Sequence, residues 1–141
     1  MSRFDELKDR GFVYQTSDHK AVAELLEKPN GKSFYIGFDP TADSLHLGSM
    51  FALMTVSRLS GFGLRPIIVL GGGTGLVGDP SGKTEMRNMI TEEAVANNLK
   101  AIEKQIRKII PKDPEPIFIN NADWLKPLNL IEFLRDVGKH F

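Results

Sequence analysis

The sequence predicts an α/β fold in which a parallel sheet is flanked by helices and preceded by short helices at the amino terminus. After residue 30, short apolar runs rich in β-branched and aromatic residues alternate with segments of helical periodicity, as they do in parallel sheets with right-handed crossovers. A long glycine-rich stretch also follows one of the predicted strands. Loops at the carboxyl ends of parallel strands bind ligands in such folds, so these loops are the expected place of a site.

Length and composition narrow the class of protein. The chain has 141 residues, the size of one domain. Its 18 basic and 18 acidic residues give a formal net charge of zero, so no overall field attracts nucleic acid or anionic lipid. It has no cysteine, which excludes disulfides and thiolate metal sites and fits a reducing compartment. Without an apolar leader or a run of about 18 apolar residues, we expect a cytoplasmic protein with no membrane segment.

The first elements are two short helices. Apolar residues recur at helical spacing within residues 1–30, where Ser2 and Ser17 are the expected amino-terminal caps and Pro29 ends the second helix. The composition changes directly afterwards, where strand-like sequence begins. We therefore expect a helical segment over residues 1–30 and a second unit over residues 31–141.

The sequence of the second unit predicts alternating strands and helices. Apolar runs at residues 34–38, 67–70 and 117–119 predict strands. Thr91 is the expected cap of the longest intervening helix. The predicted apolar faces are Met50, Leu53, Met54 and Leu59 in the first helix, Val95, Leu99, Ile102, Ile106 and Ile109 in the second, and Leu130, Phe133, Leu134 and Val137 in the last.

The loop after the first strand carries carboxylates, hydroxyls and a histidine where a helix begins. A helix start offers unpaired amide groups and a positive dipole end, which suit phosphate. His46 and Ser49 share one face of the first turn because they are three residues apart, and Gly48 leaves room for a flat ring near the backbone. The alternative is a simple connection in which Asp43 or Ser44 caps the helix and the histidine is solvated.

The glycine-rich loop over residues 71–87 allows a dinucleotide-binding alternative. Gly73 to Gly78 has the spacing of the dinucleotide fingerprint and follows a strand. However, Pro80 lies where that motif requires its helix to continue, and proline removes a helical hydrogen bond. The P-loop pattern fails because Val77 occupies the position of its first glycine. The dinucleotide-binding domain of a dehydrogenase and a non-catalytic nucleotide-binding fragment remain as alternatives.

Two cations follow the glycines. Lys83 and Arg87 are four residues apart, so they can present two positive charges to a departing pyrophosphate, whose charge grows in the transition state. Alternatively, they are solvated cations after a flexible turn.

Several strings together resemble one family. The segment from His46 to Ser49, His-Leu-Gly-Ser, is similar to the signature of class I aminoacyl-tRNA synthetases, in which histidine, an apolar residue and glycine precede histidine or asparagine. The twelve-residue string that starts at Tyr35 resembles bacterial-type tyrosyl-tRNA synthetases, as does Gly-Asp-Pro-Ser-Gly-Lys ending at Lys83. Similarity extends over nearly all of residues 34–141. Ser49 departs from the family pattern, and its shorter hydroxyl reaches a nucleotide weakly or through water.

The resemblance implies the Rossmann-like nucleotide-binding half of a class I synthetase, which activates L-tyrosine with ATP and transfers it to tRNA(Tyr). ATP would bring Mg²⁺, with no permanently bound cofactor and no protein metal ligand. The resemblance assigns tyrosine binding to Tyr35 and Asp79, ATP or adenylate binding to Gly37, Asp39, Thr41, His46, Gly48 and Ser49, and catalysis to His46, Ser49, Lys83 and Arg87.

The resemblance also implies that the chain is incomplete. The family's second half-sheet, the rest of its tyrosine pocket, its lysine-rich second signature and its tRNA-binding regions lie beyond residue 141. We therefore expect a fragment of low activity, with tRNA contacts made by the missing carboxyl-terminal regions and a homodimer as the full-length form.

Overall fold

The computed structural model describes residues 1–77 and 90–140. Within them a three-stranded parallel sheet is flanked by helices, which confirms the predicted Rossmann-like α/β class. The strands β1 (Ser33–Phe38), β2 (Arg65–Leu70) and β3 (Ile117–Asn120) lie in the order β1-β2-β3. The helices are α1 (Arg3–Asp9), α2 (His19–Glu27), α3 (Leu47–Gly61), α4 (Thr74–Val77), α5 (Glu92–Ile109), α6 (Ala122–Leu125) and α7 (Leu130–Asp136), with a 3-10 turn at Gly138–His140.

The two amino-terminal helices form where expected, with one difference in their caps. Ser2 caps α1 in a capping box, because its hydroxyl accepts the Asp5 N–H while the Asp5 carboxylate accepts the Ser2 N–H. The predicted Ser17 cap of α2 is wrong. Asp18 caps that helix, with the Ala21 N–H donating to Asp18 Oδ1 at 2.9 Å, because a carboxylate serves as well as a hydroxyl and also favours the positive end of the helix dipole.

Helices α3 and α5 cover one face of the sheet and make the main core with it. Thr91 caps α5 as predicted, accepting the Ala94 N–H at 3.2 Å, and the predicted apolar face of α5 is buried apart from Ile109. The core residues are Phe38, Leu53, Val56, Ile68, Leu70, Val95, Leu99, Ile102, Ile106 and Ile110.

The buried face of α3 differs from the predicted one. Leu53 is fully buried as expected, but Met50 and Met54 are 44% and 48% exposed, whereas Val56 and Ser60 are buried. Apolar residues surround nearly the whole of α3, so their spacing did not identify the side that meets the sheet.

The opposite face of the sheet, which we call the open face, is not covered by the described helices. Side chains alternate along a strand, so Tyr35 on β1 points away from the side of the partly buried Ile36 and is 78% exposed. Ile119 on β3 is also exposed. Helix α7 forms as predicted, yet its apolar side chains are exposed, including Ile131 at 72%.

The amino-terminal helices share a second core cluster with residues beyond 30. Phe4, Leu7 and Leu26 pack together with Leu64, which directly precedes β2. The division between residues 1–30 and the remainder stays a prediction. No helix in the part of the chain that the structure describes is long and apolar enough to cross a membrane.

Candidate functional site

The carboxyl ends of the strands meet at one edge of the sheet. Phe38 at the end of β1 is aligned with Leu70 of β2, which is aligned with Asn120 of β3. The segments that follow the strands therefore start side by side. This is where ligands bind in open parallel sheets.

A cleft of about 360 Å³ lies between the end of β1 and the start of α3, and we call it the β1 cleft. Its volume is within the range of small-molecule sites. The structure places all the residues predicted to bind ATP in its walls, where they are Gly37, Asp39, Thr41, His46, Gly48 and Ser49. Phe38, Ser44, Leu45, Ala52 and Ile102 complete the lining.

His46 lies at the amino terminus of α3 and caps it. Its Nδ1 accepts the Ser49 N–H at 3.3 Å, so the cap is neither Asp43 nor Ser44. Since Nδ1 accepts, a neutral imidazole carries its proton on Nε2 and can donate there to a ligand. A Cβ on Gly48 would lie 3.0 Å from both Cε1 and Nδ1 of His46. Glycine therefore lets the imidazole lie against the first turn of the helix.

A chain of hydrogen bonds joins the ends of the three strands, and we call it the strand-end network. The Thr74 hydroxyl, after β2, donates to Asp39 Oδ1, after β1, at 2.7 Å. Asn121, after β3, donates from Nδ2 to Thr74 Oγ1 at 3.0 Å and accepts the Gly73 N–H at 2.7 Å. The Asn121 side chain is buried and the network uses it as both donor and acceptor. These bonds fix the Asp39 carboxylate at the edge of the β1 cleft.

Sequence reasoning did not assign a role to Thr74 or Asn121. The available signal was an amide side chain directly after a buried strand, at the edge where ligand sites form. The sequence also predicted an irregular loop from residue 71, whereas α4 forms one helical turn at Thr74–Val77. This turn depends on the Gly73 and Thr74 N–H groups bonding to Asn121, a tertiary contact that local sequence does not reveal.

Glycines after β2 permit close approach of the loops. A Cβ on Gly71 would overlap Asp39 Oδ1 and lie 3.1 Å from the Asp39 Cα. A Cβ on Gly75 would lie 2.9 Å from Pro40. Gly71 and Gly75 therefore allow this loop to pack against the loop after β1.

The remaining predicted site residues are not in the β1 cleft. Tyr35 lies on the open face of the sheet. Asp79, Lys83 and Arg87 lie outside the described residues, so their predicted roles stay predictions, as do the ligand roles of the cleft residues. Across residues 1–77 and 90–140, no three histidine or carboxylate side chains are grouped as metal ligands would be.

Comparisons with known proteins agree on one family. A family model described as tRNA synthetases class I (W and Y) matches residues 28–141. The chain is 50% identical over 139 residues to the tyrosine–tRNA ligase of Fusobacterium nucleatum, covering 98% of the chain and 34% of that protein. It is 49% identical over 142 residues to the tyrosine–tRNA ligase of Caldanaerobacter subterraneus, covering 100% of the chain and 35% of the relative. The chain thus spans about a third of the length of these relatives.

Solved structures give the same result. The fold matches a C-terminally truncated mitochondrial tyrosyl-tRNA synthetase of Aspergillus nidulans with a TM-score of 0.79 and 25% identity, over 99% of this chain and 43% of the other. The corresponding synthetase of Coccidioides posadasii gives a TM-score of 0.72 and 27% identity, over 100% of this chain and 41% of the other. The predicted family is confirmed: the chain belongs to the class I tRNA synthetases of the tryptophan and tyrosine group.

Proposed function

We propose that this chain provides the ATP site and one wall of the tyrosine site of a tyrosine–tRNA ligase. The observation that carries the proposal is the convergence of the predicted ATP-binding residues in one cleft, at the start of α3. The amino terminus of a helix with free donors stabilises phosphate. The tyrosine–tRNA ligase names of relatives about 50% identical support tyrosine as the amino acid.

In the proposed reaction, the tyrosine carboxylate attacks the α-phosphate of ATP, which gives tyrosyl-adenylate and releases pyrophosphate. The enzyme positions both substrates and stabilises charge on the phosphates, without a covalent enzyme intermediate. Thr41 and His46 contact the phosphates. Gly48 packs under adenine, and Asp39 lines the adenylate site. Mg²⁺ enters with ATP as part of the substrate.

Other parts of the proposal concern the tyrosine site, the departing pyrophosphate and the longer protein. Tyr35 and Asp79 contact tyrosine, and Lys83 and Arg87 stabilise the departing pyrophosphate. Regions beyond residue 141 bind tRNA(Tyr) for the transfer step, and the full-length form is a cytoplasmic homodimer. The exposed apolar residues of α7 support association with further protein.

The test of the proposed function is tyrosine-dependent exchange of labelled pyrophosphate into ATP by a full-length protein that carries this segment. His46→Ala should lower kcat for exchange about a hundredfold, because it removes a donor to the developing phosphate charge. His140→Ala is the matched control, since His140 is exposed in the carboxyl-terminal 3-10 turn and does not line the β1 cleft. Exchange that does not require tyrosine, or equal effects of the two substitutions, would contradict the proposal.

A titration separates the proposal from the dehydrogenase alternative, which no observation favours. ATP should bind saturably and compete with an adenylate analogue, whereas NAD should bind weakly or not at all. Preferential, saturable binding of NAD would revive the dinucleotide-binding alternative and overturn the synthetase proposal.

A further inference from the structure

The loop between β1 and α3 carries Asp39, Thr41 and His46, which the proposed function assigns to ATP, yet it contains no helix or strand of its own. Residues 39–46 are irregular from the end of β1 to the start of α3. One backbone bond inside it joins the Thr41 N–H to the Asp39 carbonyl at 3.0 Å. Its shape therefore depends on bonds from other elements.

Helix α5 supplies three of those bonds through side-chain amides. Gln105 Oε1 accepts the Leu45 N–H at 3.1 Å, and Gln105 Nε2 donates to the Asp43 carbonyl at 3.0 Å. One amide group thus holds two main-chain groups of the loop. Two turns earlier, Asn98 Nδ2 donates to the Pro40 carbonyl at 3.0 Å.

The face of α5 that carries Asn98 and Gln105 also forms part of the β1 cleft. Asn98, Ile102 and Gln105 follow one another at spacings of four and three residues, so they lie on one side of the helix. Ile102 is fully packed and lines the cleft between the two amides. The core of the sheet and the loop that carries His46 are therefore joined through α5.

We propose that Gln105 is a positioning residue for the ATP site, an inference that rests on the proposed function. Leu45 directly precedes His46, so the bond to the Leu45 N–H fixes the backbone from which the imidazole extends. The bond to the Asp43 carbonyl restrains the same loop near Thr41. Gln105 does not line the β1 cleft. Gln105 therefore acts through His46 and Thr41, which contact the phosphates in the proposed function.

The first test measures exchange kinetics in the full-length protein. Gln105→Met keeps the length of the side chain and removes both hydrogen bonds to the loop. It should lower kcat for pyrophosphate exchange about tenfold, which corresponds to a rise of about 1.4 kcal/mol in the activation free energy. Tyrosine affinity without ATP should stay unchanged. Gln105→Glu keeps an oxygen that accepts the Leu45 N–H but has no donor for the Asp43 carbonyl. Its kcat should therefore lie between those of the parent protein and Gln105→Met. Lys104→Met, at the exposed neighbouring position, is the control.

The second test needs no activity. Hydrogen exchange of the Leu45 amide in the full-length protein should become about five- to tenfold faster in Gln105→Met, because one hydrogen bond is lost, and should not change in Lys104→Met. Unchanged protection of Leu45 would overturn the inference, as would equal loss of tyrosine affinity and kcat, which indicates general damage to the fold. A parent protein without tyrosine-dependent exchange would overturn the proposed function, while the hydrogen exchange result still decides whether Gln105 holds the loop.

Discussion

At the scale of single residues, His46 combines a structural and a chemical property. Asparagine, aspartate or serine at this position would make the capping bond to the Ser49 N–H equally well. Capping alone therefore does not account for an imidazole, whose contact with the first turn also requires Gly48. What the imidazole adds is a second nitrogen beyond the capping bond, able to donate into the β1 cleft. His46 is exposed, so the ligand role stays a prediction and the solvated alternative stays beside it.

The close approach of the two loops can be tested at Gly71. Gly71→Ala should lower the free energy of unfolding by about 1 to 3 kcal/mol, because the new Cβ overlaps Asp39 and forces the loops apart. Gly61→Ala is the matched control, since nothing lies within 4 Å of its Cβ position in α3, and alanine there should stabilise by about 0.5 kcal/mol. Urea unfolding of a full-length protein that carries this segment, followed by circular dichroism, measures both effects. Equal unfolding midpoints for the two variants would contradict the packing role of Gly71.

Amino-acid choice can be tested at Tyr35. If its hydroxyl pairs with the substrate phenol, Tyr35→Phe in a full-length ligase should reduce the preference for tyrosine over phenylalanine by about 1 to 2 kcal/mol, the value of one neutral hydrogen bond. The measurement is the ratio of kcat/KM for the two amino acids in pyrophosphate exchange. Tyr14→Phe is the control, because Tyr14 is fully exposed in the amino-terminal segment. An unchanged ratio would remove Tyr35 from the specificity pocket.

At the scale of helices and strands, the sequence predicted those elements whose own residues carry the pattern. The strands followed from apolar runs, and α5 followed from a clear apolar stripe that begins after a threonine cap. The buried face of α3 did not follow, because its residues are apolar on nearly all sides. Among the cleft residues, His46, Gly48 and Ser49 were singled out from their place at a helix start, and the others through resemblance to a family. The strand-end network was missed. That network exists only because parallel pairing brings Asp39, Thr74 and Asn121 together.

The cap of α2 gives a prediction at this scale. In a full-length protein that carries this segment, Asp18→Ala should lower stability by about 1 kcal/mol, because the Ala21 N–H loses its partner. Ser17→Ala, one residue earlier, should change stability by only a few tenths of a kcal/mol, the usual size for a surface substitution. Thermal unfolding of the two variants side by side distinguishes them. A larger loss from Ser17→Ala would show that the serine caps the helix in solution.

At the scale of the whole molecule, the covered and uncovered faces of the sheet follow from the order of its strands. Right-handed crossovers between successive neighbours place α3 and α5 on the same side. The open face then carries Tyr35 and Ile119, and α7 adds further exposed apolar side chains. Apolar surface of this kind is typical of a face that other protein covers. Relatives about three times as long have the additional chain to do so.

The 141-residue chain by itself should be a poor catalyst. Its open face and free strand edges should make it self-associate or remain partly molten. Its rate of pyrophosphate exchange should be at least about a hundredfold below that of a full-length ligase, because the substrates are not held in place when part of the site is absent. It should not charge tRNA. Sedimentation velocity measures association, and Ile131→Lys should reduce it if exposed α7 takes part. A monomeric, well-folded chain that exchanges pyrophosphate at nearly the full-length rate, in a preparation free of host synthetase, would contradict this and make residues 1–141 a self-sufficient catalytic unit.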